Sequence, residues 1–260
     1  VEDLYRPYKQ KRRTKATIAK EKGLEPLADK LIQFTKEPLQ QLATSFINVE
    51  KEVATVEEAL AGAQDILAER FADEAAIRDR LRKLTHREGL IVTTVKDEEK
   101  DEKKVFEMYY AYEEPVARIV PHRILAINRG EKEDILRVAI QVSAEKATDI
   151  MEQQWLPNNS SSPSIEAVKA AIADSYKRLI QPSIEREIRA ELSEKAEAQA
   201  IHIFSENLRS LLLQPPIRGK MVLGVDPAYR TGCKLAVVDE TGKMLEVTAI
   251  YPHQPKNDMK

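Results

Sequence analysis

The sequence predicts a mainly α protein: a helical body with a few short strands, followed by the opening of a small β-sheet. Three observations carry that prediction. Glycine is scarce, with 8 residues in 260, about 3% against an average near 7%. Charged residues make up 32% of the chain and aromatics 5%, a balance that suits solvated helices. After Pro215-Pro216 the apolar period changes from helical to alternating, and four of the eight glycines lie beyond that point. The change divides a helical region at 1–215 from a β-region at 216–260.

Residues 1–22 hold eight cations (Arg6, Lys9, Lys11, Arg12, Arg13, Lys15, Lys20, Lys22) against Glu2, Asp3 and Glu21, a local charge of +5. Tyr5, Pro7 and Tyr8 predict an extended start whose rings act as packing anchors. A helix is expected from Thr17, ended by Gly23. Thr55-Val56-Glu57-Glu58 has the form of a capping box, hydroxyl at N-cap and carboxylate at N3. The helix it opens should run to about Arg70, with Ala59, Leu60, Ala63, Ile66, Leu67 and Phe71 on one face. A second helix is expected over 74–88, carrying Ile77, Leu81 and Leu84 and closed by Gly89.

Leu90–Val95 is β-branched and reads as a short strand or a buried connector. Lys96–Lys104 mixes both charge signs and reads as a solvated helix start. Phe106, Tyr109, Tyr110 and Tyr112 read as core. Pro121 suits the first position of a helix, where its missing N–H costs nothing, and Gly130 is expected to end that helix. Leu136–Val142 alternates as a strand. Trp155–Pro163 is rich in turn residues and reads as a loop. Ser164 is expected to cap the next helix, whose buried face is Ile165, Val168, Ile172, Tyr176 and Leu179. Pro182-Ser183 should interrupt it. A helix of about 30 residues then runs to Leu213, with Ile184, Ile188, Leu192, Ala196, Ala200, Ile203 and Leu211 along one side. At 1.5 Å per residue it spans ~45 Å.

Beyond 216 three strands are expected: Met221–Val225, Cys233–Val238, and a third marked by Leu245, Val247 and Ala249. Asp239–Gly242 is the hairpin turn between the last two.

Composition excludes several classes. With 41 Lys+Arg against 43 Asp+Glu the formal charge is -2, so the chain as a whole is neither a basic nucleic-acid coat nor an acidic tail protein. The single cysteine, Cys233, excludes a disulfide framework and a CxxC zinc site. It reads as a small buried hydrophobe. No apolar run approaches ~18 residues, the length that crosses a bilayer, and no signal peptide opens the chain, so a cytoplasmic protein is expected. The start at Val1 and the end at Lys260 read as cuts in something longer. His86, His122, His202 and His253 are scattered without metal-ligand spacing, and Ser160–Ser162 lack a GxSxG context.

The sharpest local signal is Leu223-Gly224-Val225-Asp226-Pro227, an acidic residue at the end of a buried strand and before a turn. In ribonuclease-H-like folds such an Asp is the first ligand of a two-Mg²⁺ site, because a rigid strand holds a carboxylate still beside a scissile phosphate. A lone Asp at a strand end is more often a turn former than a ligand. One carboxylate does not make such a site.

A wider set of motifs resembles one family. Glu2-Asp3-Leu4-Tyr5-Arg6-Pro7-Tyr8-Lys9, Lys11–Ala19 and Gly23–Ala28 are similar to the Tex family of bacterial transcription accessory proteins. So are Pro121-His122-Arg123 with Ile127–Gly130, Leu223–Pro227 with Arg230–Lys234, Ala236–Asp239 and Tyr251-Pro252-His253. The resemblance spans nearly the whole chain in order. It implies a helical region with a helix-turn-helix element, followed by the start of a YqgF-type, ribonuclease-H-like α/β domain. It also implies a cytoplasmic nucleic-acid-binding scaffold that acts with the transcription machinery, with RNA or DNA held mainly by modules outside this chain. Asp226 matches the first acidic position of the YqgF pattern. Ala228 departs from it, since Gly is usual there and would allow a backbone approach that Ala restricts.

Two functional readings follow. The first is a non-catalytic nucleic-acid-binding scaffold that needs no cofactor, with Arg6, Lys9, Lys11, Arg12, Arg13 and Lys15 as its candidate phosphate contacts. In the bland version of that assignment these cations only pair with acids and seat the segment on its neighbours. The second is part of a metal-dependent nuclease or resolvase, with Asp226 as one Mg²⁺ ligand.

Overall fold

A computed structural model describes residues 2–5, 8, 12–158, 161–215, 217, 219–228 and 231–252. Its contacts divide the chain into two compact units, Val1–Ala200 and Ile201–Lys260. No helix among the described residues is long and apolar enough to cross a membrane.

The first unit is helical with one small sheet. Its elements are α1 (Glu2–Tyr5), α2 (Lys15–Glu21), α3 (Glu25–Ile32), α4 (Leu39–Thr44), α5 (Val56–Ala72), α6 (Ala75–Glu88), β1 (Leu90–Val95), β2 (Ala111–Pro115), α7 (Pro121–Lys132), β3 (Leu136–Gln141), α8 (Ala144–Trp155), α9 (Ser164–Asp174) and the start of α10 (Gln181–Leu212). α5 is its hub: Ala59, Ala63, Ile66, Leu67 and Phe71 are buried, and α2, α3, α4 and α9 pack on it. Small residues allow the close approaches. A Cβ on Gly62 would lie 2.3 Å from the Leu24 side chain.

The expected capping box is present but shifted. Thr55 Oγ1 accepts from Glu58 N at 3.2 Å, while the Glu58 carboxylate accepts from Ala54 N at 2.7 Å, one residue before the N-cap. α5 also runs two residues beyond Arg70.

β1 is the central strand of a three-stranded antiparallel sheet in the order β2-β1-β3, which decides between strand and connector. Ile91 faces Glu114 on one side and Ile140 on the other. The β3 edge is partly closed by α10: Glu185 accepts the Ile140 backbone N–H at 3.0 Å.

Five local expectations are corrected. The chain does not start extended, since Glu2–Tyr5 is a helical turn. Tyr5 and Tyr8 are 60% and 81% exposed, so neither is a buried packing anchor, while Pro7 lies outside the described residues. Lys96–Lys104 starts no helix. It turns around buried Asp101, which accepts from Val105 N, Phe106 N and the Tyr110 hydroxyl at 2.8, 2.8 and 3.0 Å. Gly130 does not end α7, which continues to Lys132. Ser164 does not cap α9. Instead, Ser162 Oγ accepts from Ser164 N at 3.2 Å and donates to Thr35 O at 2.6 Å. Phe106 and Tyr109 are buried as expected.

Pro182 does not interrupt the last long helix. A π-helical stretch, Ser175–Ile180, joins α9 to α10, and the Gln181 N–H reaches back to Tyr176 O. The wider turn accommodates a proline ring that an α-helical register would press against the carbonyl four residues earlier. α10 is 32 residues long. Its expected apolar side is buried at Ile184, Ile188 and Ala196, but Ile203 and Leu211 are exposed.

Within the first unit, the start of α10 adds polar contacts to its buried Ile184, Ile188 and Ala196. Glu185 takes the β3 amide and Glu187 takes Arg78 and Arg82 of α6. Arg189 takes Glu131 and Asn128 of α7, His86 meets Glu191 at 3.2 Å, and Asn128 donates to Ser193 at 2.8 Å.

The second unit contains an antiparallel meander in the order β4 (Val222–Asp226), β5 (Cys233–Val238), β6 (Met244–Ile250). Asp239 builds the β5–β6 turn by accepting from Thr241 N, Thr241 Oγ1 and Lys243 N at 2.8, 2.7 and 3.0 Å. Gly242 supplies the required positive φ of 85°. Cys233 is buried, as the sequence predicts.

Candidate nucleic-acid interface

The basic segment is fixed to the first unit on both sides. On one side α1 brings Asp3 against α6. Asp3 accepts from Arg78 Nε at 2.9 Å and from an Arg82 terminal nitrogen at 2.7 Å. Glu187 completes the cluster, bonded to both arginines, and Ser183 accepts from Arg78 at 3.0 Å. Burial works to raise the Asp3 and Glu187 carboxyls. The arginine hydrogen bonds and charges outweigh it, and both end below their ordinary values. On the other side, Ala16 and Ala19 of α2 are buried in the core.

Between these anchors the described candidate cations face water. Arg12, Arg13 and Lys15 are exposed. Arg13 pairs with Glu21 at 2.9 Å, but the side chains are 69% and 55% exposed, so the pair contributes little and yields readily to a phosphate. Arg12 has no ion-pair partner among the described residues. Thr14 caps α2, its Oγ1 accepting from Thr17 N at 3.1 Å, so Lys15 opens the helix. Lys15 lies beside a cleft of about 360 Å³ that Lys22, Glu58 and Asp65 also line. Burial raises the Asp65 carboxyl, with Arg178 and Lys15 drawing it the other way. The cleft mixes both signs and is no phosphate funnel. Arg6, Lys9 and Lys11 lie outside the described residues.

Asp226 is the last residue of β4 and stands opposite Lys234 of β5. It is exposed, and Ala228 after it is half-buried. Among the described residues no group of three or more His, Cys, Asp or Glu side chains is placed to hold a metal ion. The described residues thus do not by themselves complete a two-Mg²⁺ clamp around Asp226. Arg230 and His253 lie outside the described residues. His122 and His202 are exposed.

The Asp3–Arg78–Arg82–Glu187 cluster is the feature that sequence reading missed. Arg78 and Arg82 are one helical turn apart beside buried Ile77 and Leu81, so their placement on the edge of the apolar face was a usable signal. The partners were not, because they come from distant parts of the chain.

Comparison with known proteins places these features in context. A family model described as Tex central region-like matches residues 34–204, and one described as Tex protein YqgF-like domain matches residues 220–260. The chain is 60% identical over 262 residues to uncharacterized protein YdcI of Bacillus subtilis, covering 100% of this chain and 36% of that protein. It is 36% identical over 270 residues to protein tex of Bordetella pertussis, covering 99% and 34%. It is 33% identical over 267 residues to S1 RNA-binding domain-containing protein 1 of Homo sapiens, covering 97% and 26%. The chain thus spans about a third of the length of the bacterial relatives and about a quarter of the human one.

Proposed function

The chain belongs to the Tex family, and from that premise we propose that it serves as a nucleic-acid-binding scaffold within a cytoplasmic transcription accessory protein. It carries no catalysis of its own and needs no cofactor. The helical region to 215 is the structural body, with its helix-turn-helix element, and 216–260 opens the YqgF domain. The observation that carries the binding part is the run of exposed cations Arg12, Arg13 and Lys15, held at the head of this body by Asp3 on one side and α2 on the other. Support also comes from the human relative, whose name carries an RNA-binding domain. RNA and DNA are the proposed partners, together with the transcription machinery.

The test is a salt titration with short labelled RNA and DNA. The expected result is binding that weakens linearly in log–log form as salt rises, with a slope near −0.7 per phosphate contacted on a single strand. Absence of binding at low salt removes the role from this chain. The non-catalytic part is tested by incubating the oligonucleotides with Mg²⁺: Asp226-dependent cleavage, lost in Asp226→Asn, would overturn it.

A further inference from the structure

We propose that the cleft between α2 and α5 is a binding site for a free amino acid with an apolar side chain. Its carboxylate meets Lys15, its ammonium meets Asp65, and its side chain lies between the two helices. The proposal is independent of the nucleic-acid reading above.

The cleft holds about 360 Å³, near the lower end of the roughly 300–1,000 Å³ of small-molecule pockets, so its ligand is small. Ile18, Ala19, Leu24, Val53, Ala61 and Gly62 make its apolar lining. Ala19, Leu24 and Val53 are buried, so the floor belongs to the packed core and stands preformed.

Charge is placed at the two ends. Lys15 is the first residue of α2 and Lys22 its C-cap, about 10 Å apart along the helix axis. Lys22 is used within the protein: it donates to the Glu52 carbonyl at 3.0 Å and pairs with the Glu52 carboxylate at 3.4 Å. The Lys15 end differs. The Lys15 ammonium has no hydrogen bond or ion pair among the described residues, yet it is near enough to Asp65 to draw that carboxyl downward against its burial. Asp65 Oδ1 accepts from Arg178 at 2.8 Å, while its Oδ2 accepts nothing from the described residues. The Asp65 side chain is only 25% exposed, so a charged partner gains more there than in open water.

A free cation and a free carboxylate oxygen near one another, at the end of an apolar slot, match the head group of an α-amino acid. A simple anion would meet Asp65 as well as Lys15, and a simple cation would meet Lys15 as well as Asp65. Only a zwitterion satisfies both charges, and this is the source of the selectivity.

Isothermal titration calorimetry of the 260-residue chain tests this with L-leucine, leucinamide, 4-methylpentanoate and inorganic phosphate. Leucinamide lacks the carboxylate, and 4-methylpentanoate lacks the ammonium. Saturable leucine binding at about millimolar concentration is expected. Both truncated probes should bind roughly tenfold more weakly, and phosphate should not displace leucine. Lys15→Gln removes the partner of the carboxylate, so it should weaken leucine by a similar factor and leave leucinamide unchanged. Ala61→Leu fills the slot and should abolish leucine binding. Lys15 and Ala61 are exposed, so the thermal midpoint of the free chain should hold in both variants. Absence of saturable leucine binding, or equal binding of either truncated probe, overturns the proposal. So do displacement by phosphate and leucine binding that survives both substitutions. Nucleic-acid binding is read separately with oligonucleotides, so its failure and this one are told apart.

Discussion

Arg78 of α6 donates to the carboxylate of Glu187 of α10, and no part of the Arg78 side chain reaches solvent. The same guanidinium holds Asp3 and Ser183. One buried cation therefore ties the chain start, α6 and α10 together. Arg78→Ala is expected to lower stability by about 2–4 kcal/mol, combining lost packing with two carboxylates left on Arg82 alone. Arg78→Lys should recover only part of the loss, since a single ammonium cannot reproduce the planar fork. Urea unfolding followed by circular dichroism reads both, and a loss below about 1 kcal/mol for the alanine variant would contradict this role.

The same cluster fixes a pH dependence. The Asp3 and Glu187 carboxyls lie below their ordinary values of 3.8 and 4.5. A depressed folded value means that the stabilisation is present in full above those ordinary values. It is lost as pH falls through the folded values beneath them. The stability gap between the native chain and Asp3→Asn should be steady at neutral pH, narrow as pH falls below 3.8, and close in stronger acid. A gap that widens on acidification rules the assignment out.

Gly130 gives a test in which two physical effects have opposite signs. In a helix interior, Gly→Ala normally stabilises by about 1 kcal/mol. Here the added Cβ would lie 2.6 Å from Leu136 Cδ1, 2.9 Å from its Cγ and 3.0 Å from Phe106 Cδ1, and both neighbours are buried. Overpacking of this kind costs about 1–3 kcal/mol, so Gly130→Ala should destabilise. A raised thermal midpoint would show that helix propensity wins.

Glu185 closes part of an exposed sheet edge by accepting the Ile140 amide. Glu185→Ala should cost about 1.5–3 kcal/mol for a charge-assisted bond. It should also leave β3 open to pairing with another chain. Light scattering at rising protein concentration is expected to show association in the variant and none in the parent chain. Equal scattering from both would dismiss the edge-closing role.

The sequence by itself determined the fold class, the helices α5, α6, α7, α9 and α10, all three strands of the second unit and the family. These depend on local patterns: apolar spacing of 3–4 or 2 residues, a hydroxyl–carboxylate cap, and glycine where the chain turns. It also picked out the cationic segment and Asp226, because charge and strand-end position are visible without coordinates. Only the tertiary structure decided what those residues meet. Arg78 finds its partners 75 and 109 residues away, and no periodicity encodes such a distance. Asp101, drawn from a run of charges, became a buried turn centre because three donors converge on it. Pro182 stayed within a helix because a π-turn ahead of it relieved the clash. The tyrosines read as anchors are exposed. In each case the outcome depends on which surfaces are brought together, a property of packing between distant segments.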